Sequence, residues 1–481
     1  MKQGEKFEFI KPGQIRTRFA PSPTGFLHIG SARTALFNYL FAQKNQGRFI
    51  LRLEDTDVER SKPRFEKDII ENLKWLGIEW NEGPYKQSER GDIYAKYLEK
   101  LIKEGKAYYC FCSEEELEAK RQEKMSRGEP ARYNGKCAKL SKKEVEKKLE
   151  EGKKFIIRFK VPAKKISFND IVRGKIEFDA GLIGDISIAK DLSAPLYNFA
   201  VVVDDFEMEI SHVIRGEDLL PNTPVQIILQ EALGFPRPQY SHLPLIFGPD
   251  RTKLSKRHGA VSVAEYKKQG YLSETLINFL AFLGWNPGTE REIFSLSSLI
   301  KEFSMEKVQK GGAIFNIKRL DFLNGFYIRQ KSLDRLTELC LPYFEGKTVD
   351  KNYLKRIIAI YQERLKKLSE IVELTDFFFK EKLDYDKKLL QWKEMNQREL
   401  SSSLEKLIEI LSKIEPEDWT KENLERVLLL EAEKVGDRGY LLWPLRVALT
   451  GKEASAGPFE IAEILNKEKT LKRLKEAKNL L

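Results

Sequence analysis

Two segments far apart in the chain carry residue types suited to handling phosphate. The first, Pro21 to Gly30, contains His28 in a loop rich in proline and glycine, just before a stretch with helical spacing. Free N–H groups at a helix start favour anions, and a histidine there donates without a permanent charge. The second, Phe247 to Arg257, places Lys253 and Lys256 three residues apart, and mobile cations of this kind stabilise a departing phosphate.

Each segment has an ordinary structural explanation when it is taken alone. His28 would serve equally as a packing or capping residue, and a lone Lys-x-x-Lys-Arg is common on protein surfaces. A phosphate-loop NTPase is disfavoured, because Gly25-x4-Gly30-Ser31 lacks the Lys-Ser/Thr pair that such a loop needs. The combination of both segments in one chain is what predicts nucleotide chemistry.

The first segment lies inside a strand–loop–helix–strand pattern. Ile15 to Ala20 and Arg48 to Leu53 have the composition of strands, and apolar residues recur with helical spacing from Ser31 onwards. Such short joints predict a βαβ unit in a parallel sheet. Ligands of these sheets bind at the carboxyl ends of the strands, which places Arg18 to His28 and Glu54 to Asp57 around one site.

Further strands are predicted where apolar runs return after a charged middle section. Leu196 to Val203 is nearly all apolar and predicts a buried strand, followed by strands at Ile210 to Ile214 and Leu243 to Phe247. A helix is predicted over Pro224 to Leu233. Beyond about residue 249 the pattern is overwhelmingly helical.

Composition narrows the class of protein. A chain of 481 residues exceeds what one core supports, so several domains are expected. The net charge of +11 fits either a solvated surface or a polyanionic partner, nucleic acid before membrane. No run of 18 apolar residues and no signal-like N-terminus occurs. Four cysteines exclude a disulfide scaffold and favour a reducing, cytoplasmic location.

Several motifs together resemble those of one family. P-S-P-T-G-F-L-H-I-G looks like the first signature of class I aminoacyl-tRNA synthetases, and K-L-S-K-R looks like the second. The flanking R-F-A-P-S-P-T-G, L-R-L-E-D-T-D, A-P-L-Y-N-F and V-I-R-G-E-D are similar to bacterial glutamyl-tRNA synthetases. The resemblance covers nearly the whole chain. It implies activation of L-glutamate with ATP and Mg²⁺, in the presence of bound tRNA, and transfer to tRNA(Glu); tRNA(Gln) is left open as a second substrate.

Glutamate carries two carboxylates and an ammonium group, so its pocket should offer arginines and one acid. Arg18 and Arg215 can each grip a carboxylate bidentately, and Glu54 can pair with the ammonium group. Surface ion pairs are the alternative explanation for these charges, and a core position is the alternative for Tyr197. The resemblance assigns the following residues to the amino-acid pocket: Arg18, Ala20, Ser22, Glu54, Tyr197 and Arg215. At position 201, where some members carry an asparagine that contacts glutamate, this chain has Val201.

The resemblance assigns a second set of residues to the ATP site. No nucleophilic side chain is implied, because the carboxylate of the substrate attacks ATP directly and the protein supplies positioning and charge. His28, Lys253 and Lys256 are therefore the expected catalytic residues. The full predicted ATP site is His28, Gly30, Asp218, Lys253, Ser255 and Lys256.

A third constellation has the residue types of a metal site: Cys110, Cys112, Tyr133 and Cys137. Thiolates two residues apart form a tight chelate and suit tetrahedral zinc. Related glutamyl-type enzymes show this kind of Cys, Cys, Tyr, Cys set, which implies a structural zinc far from the chemistry. Three buried cysteines without metal remain the open alternative. Cys340 has no partner in sequence and is expected in a core.

The predicted fold class is α/β: a Rossmann-type parallel-sheet catalytic domain with an inserted α+β domain and an all-helical C-terminal anticodon-binding region. A Y-Q-E-R stretch with Tyr361, Gln362 and Arg364 belongs, by resemblance, to the anticodon-reading part. The predicted domains are the catalytic domain, first half (1–92), an acceptor-stem-binding insertion with the cysteines (93–192), the second catalytic half (193–248), a stem-contact helical domain with the KLSKR loop (249–330), and two anticodon-binding helical domains (331–388 and 389–481).

Three other classes of protein are less consistent with the sequence. A glutaminyl-tRNA synthetase reads the anticodon with β-barrels, whereas the sequence after residue 330 is helical. A glutamyl-queuosine-type enzyme lacks the anticodon domain altogether. A noncatalytic tRNA-binding module should have lost one signature, and both are intact. We expect a monomer with tRNA and glutamate as partners and no membrane partner.

Overall fold

The computed structural model describes residues 14–57, 59–130, 132–255, 257, 259, 261–344 and 349–481. The chain divides into two compact units. Unit 1 runs to Lys267 and includes Ser273–Ile317, and unit 2 comprises Lys268–Leu272 and Lys318–Leu481. No helix within the described ranges is long and apolar enough to cross a membrane.

The strands of the described residues all lie in unit 1. In chain order they are β1 (Arg16–Phe19), β2 (Arg48–Leu53), β3 (Glu82–Lys86), β4 (Ala107–Cys110), β5 (Ile156–Phe159), β6 (Lys165–Asp170), β7 (Gly174–Asp179), β8 (Ile186–Ala189), β9 (His212–Gly216), β10 (Gln239–Leu243), β11 (Ile246–Phe247) and β12 (Ala313–Ile314).

The α-helices occur throughout both units. In chain order they are α1 (Ile29–Lys44), α2 (Pro63–Trp75), α3 (Gly91–Lys103), α4 (Glu114–Ser126), α5 (Lys142–Glu150), α6 (Tyr197–Glu207), α7 (Thr223–Leu233), α8 (Val263–Lys268), α9 (Ser273–Ala281), α10 (Leu296–Glu302), α11 (Ile317–Arg329), α12 (Leu333–Cys340), α13 (Lys351–Tyr361), α14 (Glu370–Thr375), α15 (Gln397–Ser412), α16 (Lys421–Val435), α17 (Gly439–Thr450) and α18 (Pro458–Asn479).

A seven-stranded sheet in the order β3-β2-β1-β9-β10-β6-β7 forms the centre of unit 1. Neighbouring strands are parallel except β7, which runs antiparallel to β6. The chain leaves β1 towards β2 and β3 on one side, while β9 and β10 extend the sheet on the other. A switch of direction of this kind opens a crevice at the carboxyl ends of the two central strands. The fold therefore places any ligand beside the ends of β1 and β9.

The predicted βαβ unit is present as β1, α1 and β2. Residues of β2 from Phe49 onwards are buried, as expected of a strand covered on both faces. Gly47 joins α1 to β2 where the backbone oxygen of Ile15 leaves no room for a Cβ atom, so a side chain here would push β1 away. The short joint holds the loop before α1 against the end of β1.

The strand predicted over Leu196 to Val203 is wrong, because this segment begins helix α6. Phe199 to Asp205 are all buried, so the helix has no solvent face and its sequence lacks amphipathic periodicity. A fully buried helix and a buried strand give the same apolar run, and the valines favoured the strand. The helix matters for the site, because it turns Tyr197 and Asp205 towards the same region as Arg18.

The residues from 93 to 192 form α+β structure, as predicted. Strands β4, β5 and β8 make a separate antiparallel sheet, whereas β6 and β7 join the seven-stranded sheet through the pairing of Asp170 with Tyr240. The fold class predicted from the sequence is confirmed. The boundaries of the six predicted domains stay a prediction.

Unit 2 is helical in its described residues and has one core, in which Cys340 is fully buried as expected. Tyr361 is also fully buried, and its hydroxyl accepts a hydrogen bond from the Ala456 N–H. Gln362 donates from Nε2 to three carbonyl oxygens at the end of α11, at 2.9 to 3.2 Å. Tyr361 therefore offers no surface on which a base could stack, and of the Y-Q-E-R stretch Arg364 is the exposed basic residue.

Candidate active site

A cavity of about 380 Å³ opens at the carboxyl ends of β1 and β9. It brings together residues predicted for both halves of the site, although they lie up to about 235 positions apart in the sequence. Ser255 is not among the residues that line it, and Lys256 lies outside the described residues. The predicted residues in its wall are Arg18, Ala20, Ser22, His28, Gly30, Glu54, Tyr197, Arg215, Asp218 and Lys253.

His28 caps the N-terminus of α1 on one side of the cavity. Its Nδ1 accepts a hydrogen bond from the Gly30 N–H at 3.0 Å, which leaves the ring proton on Nε2. Burial and the charge of Lys253 lower the pKa of His28 below its usual 6.5. The imidazole is therefore neutral at pH 7 and presents one N–H donor beside the free amides of a helix start.

The segment that carries Lys253 is followed by residues that form backbone hydrogen bonds on either side of His28. Leu254 N–H donates to Ile246 O at 3.0 Å, which fixes the base of the loop that carries Lys253. Further on, Ile29 N–H donates to Val261 O and Val263 N–H to Leu27 O, each at 2.9 Å, on either side of His28. These contacts hold the start and the end of the lysine loop beside the capping histidine.

Arg18 lines the cavity near the end of β1 and is 4% exposed. Its Nε donates to Asp205 Oδ1 at 3.0 Å, and its two Nη nitrogens have no hydrogen-bond partner among the described residues. Arg52 Nη1 donates to the same oxygen at 2.8 Å, while Arg52 Nη2 reaches Glu54 Oε1 at 3.2 Å. The carboxylate of Asp205 thus binds both Arg18 and Arg52, and Arg52 also binds Glu54.

Burial acts on the two carboxyl groups of this cluster with different results. Burial raises the pKa of Glu54, and the nearby Arg52 and Arg18 offset only part of that rise. Burial also disfavours the charged form of Asp205, but Arg18 and Arg52 outweigh it and hold its pKa below the usual value. Asp205 is therefore held in its charged form, while burial disfavours the charged form of Glu54, which a further cation in the cavity would favour.

Arg215 also lines the cavity, with different partners from those of Arg18. Its Nε donates to His242 Nε2 at 3.1 Å, and its Nη2 donates to Thr223 Oγ1 at 2.8 Å. Its Nη1 is buried and has no hydrogen-bond partner among the described residues. The guanidinium is thus anchored by two neutral groups and has no ion-pair partner among the described residues.

Tyr197 and Val201 lie one turn apart on α6 and differ in their surroundings. Tyr197 begins the helix and lines the cavity, and burial raises its pKa, with a further contribution from Glu54. Val201 is 1% exposed, packs in the core and is not among the residues lining the cavity.

Several residues of the site were not found from the sequence. Arg33 lies in the cavity wall, donates to Leu283 O at 3.1 Å and to Pro244 O at 2.6 Å, and burial lowers its pKa to about 10. Arg52 and Asp205 were also missed, although a charged residue inside each of two apolar runs was a usable signal. His242 is fully buried in β10 and gave a similar signal.

The predicted metal ligands lie together in a separate place, on and beside β4. The three Sγ atoms of Cys110, Cys112 and Cys137 lie within 4.8 Å of one another, and Cys112 and Cys137 are 3.6 Å apart. Tyr133 Oη is 3.4 Å from both Cys110 Sγ and Cys112 Sγ. Burial alone would raise the pKa of Cys110, but hydrogen bonds of Tyr133, the Cys112 backbone and Arg158, whose Nε is 3.3 Å from Cys110 Sγ, together lower it. The cluster could hold a metal ion.

Comparison with known proteins decides the family. A family described as "tRNA synthetases class I (E and Q), catalytic domain" matches residues 14–322, and an "Anticodon binding domain" matches residues 335–478. "Glutamate--tRNA ligase 1" of Caldicellulosiruptor saccharolyticus is 49% identical to this chain, over 96% of this chain and 98% of that protein. The chain belongs to the glutamate–tRNA ligase family.

Other glutamate–tRNA ligases agree over the same length. "Glutamate--tRNA ligase" of Aquifex aeolicus is 46% identical over 96% of this chain and 98% of that protein. The crystal structure of a glutamate tRNA ligase from Elizabethkingia meningosepticum, in complex with its amino acid, is 35% identical and superposes with a TM-score of 0.88 over 97% of this chain and 100% of that one. The family predicted from the sequence motifs is confirmed, as is its class I catalytic type.

Proposed function

We propose that this chain activates L-glutamate with ATP to glutamyl-adenylate and transfers glutamate to the 3′-terminal adenosine of tRNA(Glu). Family membership supports the overall reaction, glutamate–tRNA ligation. The observation that carries the assignment of residues is that one cavity is lined by two arginines, the acid Glu54, His28 and Lys253. These groups match a dicarboxylic amino acid and a triphosphate meeting in one crevice.

The amino-acid side binds glutamate through charge. Arg18 and Arg215 pair with its carboxylates, and Glu54 pairs with its ammonium group, whose positive charge favours the ionised form of that buried acid. Tyr197 adds its hydroxyl, and Ala20 and Ser22 add contacts from the loop after β1. Positioning of the α-carboxylate against the α-phosphate of ATP supplies most of the catalysis, because no covalent enzyme intermediate is needed.

The nucleotide side stabilises the charge of the departing pyrophosphate. His28 donates from Nε2 as a neutral imidazole, and the amides at the start of α1, with Gly30, complement a phosphate. Lys253 brings a mobile cation from its loop, and Lys256 is assigned the same role by the sequence motif. Mg²⁺ would enter with ATP, held mainly by the phosphates, and Asp218 is a carboxylate of the cavity wall that could assist.

Matched substitutions on β1 test the amino-acid side. Arg18→Lys should raise KM for glutamate roughly tenfold to a hundredfold in tRNA-dependent pyrophosphate exchange, because a point charge cannot replace a planar fork. Arg16→Lys is the control: Arg16 is on the same strand, pairs with Glu82 at 2.8 Å and does not line the cavity. Equal effects of both substitutions would contradict the assignment.

A substitution in the lysine loop tests the nucleotide side. Lys253→Ala should lower the rate of adenylate formation far more than it lowers tRNA affinity, because the side chain acts on ATP. The two quantities are measured by pyrophosphate exchange and by filter binding of labelled tRNA. Equal losses in both would show that the loop serves tRNA binding instead.

The thiol cluster is assigned to one structural zinc, held by Cys110, Cys112, Cys137 and Tyr133. A zinc about 2.3 Å from each sulfur sets sulfur–sulfur distances of about 3.8 Å, close to the 3.6 Å between Cys112 and Cys137. Cys137→Ser should lower the zinc content, measured by mass spectrometry of the purified protein, from one per chain towards zero. Cys340→Ser, at a lone cysteine in unit 2, should leave it unchanged. Equal zinc content in both variants would exclude the assignment.

Unit 2 is proposed to hold the anticodon arm of the tRNA, with the net charge of +11 favouring the polyanion. The proposal takes the protein as a monomer. Charging tRNA(Glu) and tRNA(Gln) separately with labelled glutamate decides whether the second tRNA is also a substrate. Charging of both would identify a ligase that does not discriminate between them.

A further inference from the structure

Arg215 is held in place by a buried relay that includes a residue of the segment predicted as an insertion. Behind Arg215 lies His242 on β10, and behind His242 lies Asp170, the last residue of β6. His242 Nδ1 is 2.6 Å from Asp170 Oδ2, and His242 Nε2 is 3.1 Å from Arg215 Nε. All three side chains are at most 4% exposed.

The hydrogen bonds of this relay fix the protonation state of His242. Arginine only donates, so His242 Nε2 must accept the bond from Arg215 Nε and carries a lone pair. The hydroxyl of Thr223 accepts from Arg215 Nη2 and lies 3.1 Å from the same Nε2, to which it donates. The ring proton is therefore on Nδ1 and faces the carboxylate of Asp170. A second proton, on Nε2, would point at the N–H of Arg215 and the O–H of Thr223, which are both donors, so the ring is neutral.

Asp170 selects this tautomer because its own two oxygens are committed. Oδ1 accepts from the N–H groups of Val172 at 2.9 Å and Arg173 at 2.8 Å, and Oδ2 accepts from the backbone N–H of His242 at 3.1 Å and faces its ring Nδ1. The nearby Arg173 pairs with Glu217, so its charge is met elsewhere. Burial lowers the pKa of His242, which keeps the ring neutral.

We propose that Asp170 and His242 are positioning residues that hold Arg215 without neutralising its charge. A carboxylate in direct contact would orient the guanidinium equally well, but it would also satisfy the cation. A neutral imidazole orients Nε and leaves the charge of Arg215, which lines the cavity, to be met by a carboxylate that enters there. This inference rests on the proposed function, in which that carboxylate belongs to glutamate.

The substitution Asp170→Asn tests the relay with almost no change of shape. The Asn carbonyl must stay on the two N–H groups of Val172 and Arg173, so its NH₂ faces His242 Nδ1 and no longer accepts from the backbone N–H of His242. This reverses the tautomer and points an Nε2 proton at Arg215. We expect KM for glutamate to rise roughly tenfold to a hundredfold, with KM for ATP within about twofold of the unchanged protein. Asp179→Asn, on the exposed end of β7, is the matched control and should change neither.

A pair of substitutions at His242 provides an independent test. His242→Gln can still offer an acceptor near the position of Nε2, and it should keep KM for glutamate within about fivefold of the unchanged protein, whereas His242→Leu offers none and should behave like Asp170→Asn. Equal KM values for the Gln and Leu variants, or parallel rises in KM for glutamate and ATP, would overturn the proposal. Arg215→Lys distinguishes failure of the proposed function from failure of the relay. If Arg215→Lys leaves KM for glutamate unchanged, the proposed function is wrong. If Arg215→Lys raises KM for glutamate but the Asp170 and His242 variants leave it unchanged, only the relay is wrong.

Discussion

The two arginines that face glutamate in the proposed site are held by opposite kinds of group. Arg18 donates to the carboxylate of Asp205, which it shares with Arg52, whereas Arg215 donates to a neutral histidine and a hydroxyl. The first arrangement is a buried ion cluster, and its removal should cost stability. The second leaves a charge unmet, and its removal should cost substrate affinity. Both arginines are proposed to bind a carboxylate of glutamate, but only Arg18 also belongs to a buried ion cluster.

The largest expected effect is a loss of stability of unit 1 when Asp205, the carboxylate bound to Arg18 and Arg52, is replaced. Asp205→Asn leaves two buried arginines without their shared anion, and breaking such a pair costs about 3 kcal/mol or more. Urea unfolding should show this loss. Glu71→Gln, which removes an exposed pair with Lys67, should change stability by less than about 0.5 kcal/mol. A small loss in Asp205→Asn would remove the distinction between the two arginines.

The next largest effect is a loss of affinity for glutamate when Arg215, which is held by the imidazole of His242, is replaced. Arg215→Lys removes the planar fork that the cavity uses, so KM for glutamate should rise by about a hundredfold. The free energy of unfolding should change less than in Asp205→Asn, because no buried anion loses its only partner. A stability loss as large as that of Asp205→Asn would place Arg215 in the same structural class as Arg18.

The smallest effect isolates one hydroxyl of the relay. Thr223→Val keeps the shape but removes the group between Arg215 Nη2 and His242 Nε2, and KM for glutamate should rise about fivefold. Thr17→Val is the matched control, because Thr17 is equally buried and donates to Asn38 O at 3.1 Å outside the cavity. A KM that rises in both variants would point to general loosening of the sheet.

The sequence predicted the outline of the site well because the outline is local. His28 precedes its helix, Arg18 and Glu54 end their strands, and these positions follow from spacing and from the rule for parallel sheets. The family resemblance added Tyr197, Arg215 and Asp218, which spacing alone would not have selected.

The groups that orient these residues could not be predicted in the same way. Asp170, Asp205 and His242 reach their partners across 27 to 187 positions, and their sequence neighbours give no sign of those partners. The error at Leu196 to Val203 had a related cause: a helix buried on every side loses the periodicity that identifies it. Contacts made by tertiary packing leave little local pattern to interpret.

The proposed site selects glutamate because its arginines pair with the side-chain carboxylate that glutamine lacks. The most direct measurement is pyrophosphate exchange by the unaltered protein with glutamate or glutamine, each with and without tRNA(Glu). We expect pyrophosphate exchange with glutamate that depends on the tRNA, and little or no exchange with glutamine. Exchange with glutamine and none with glutamate would contradict it.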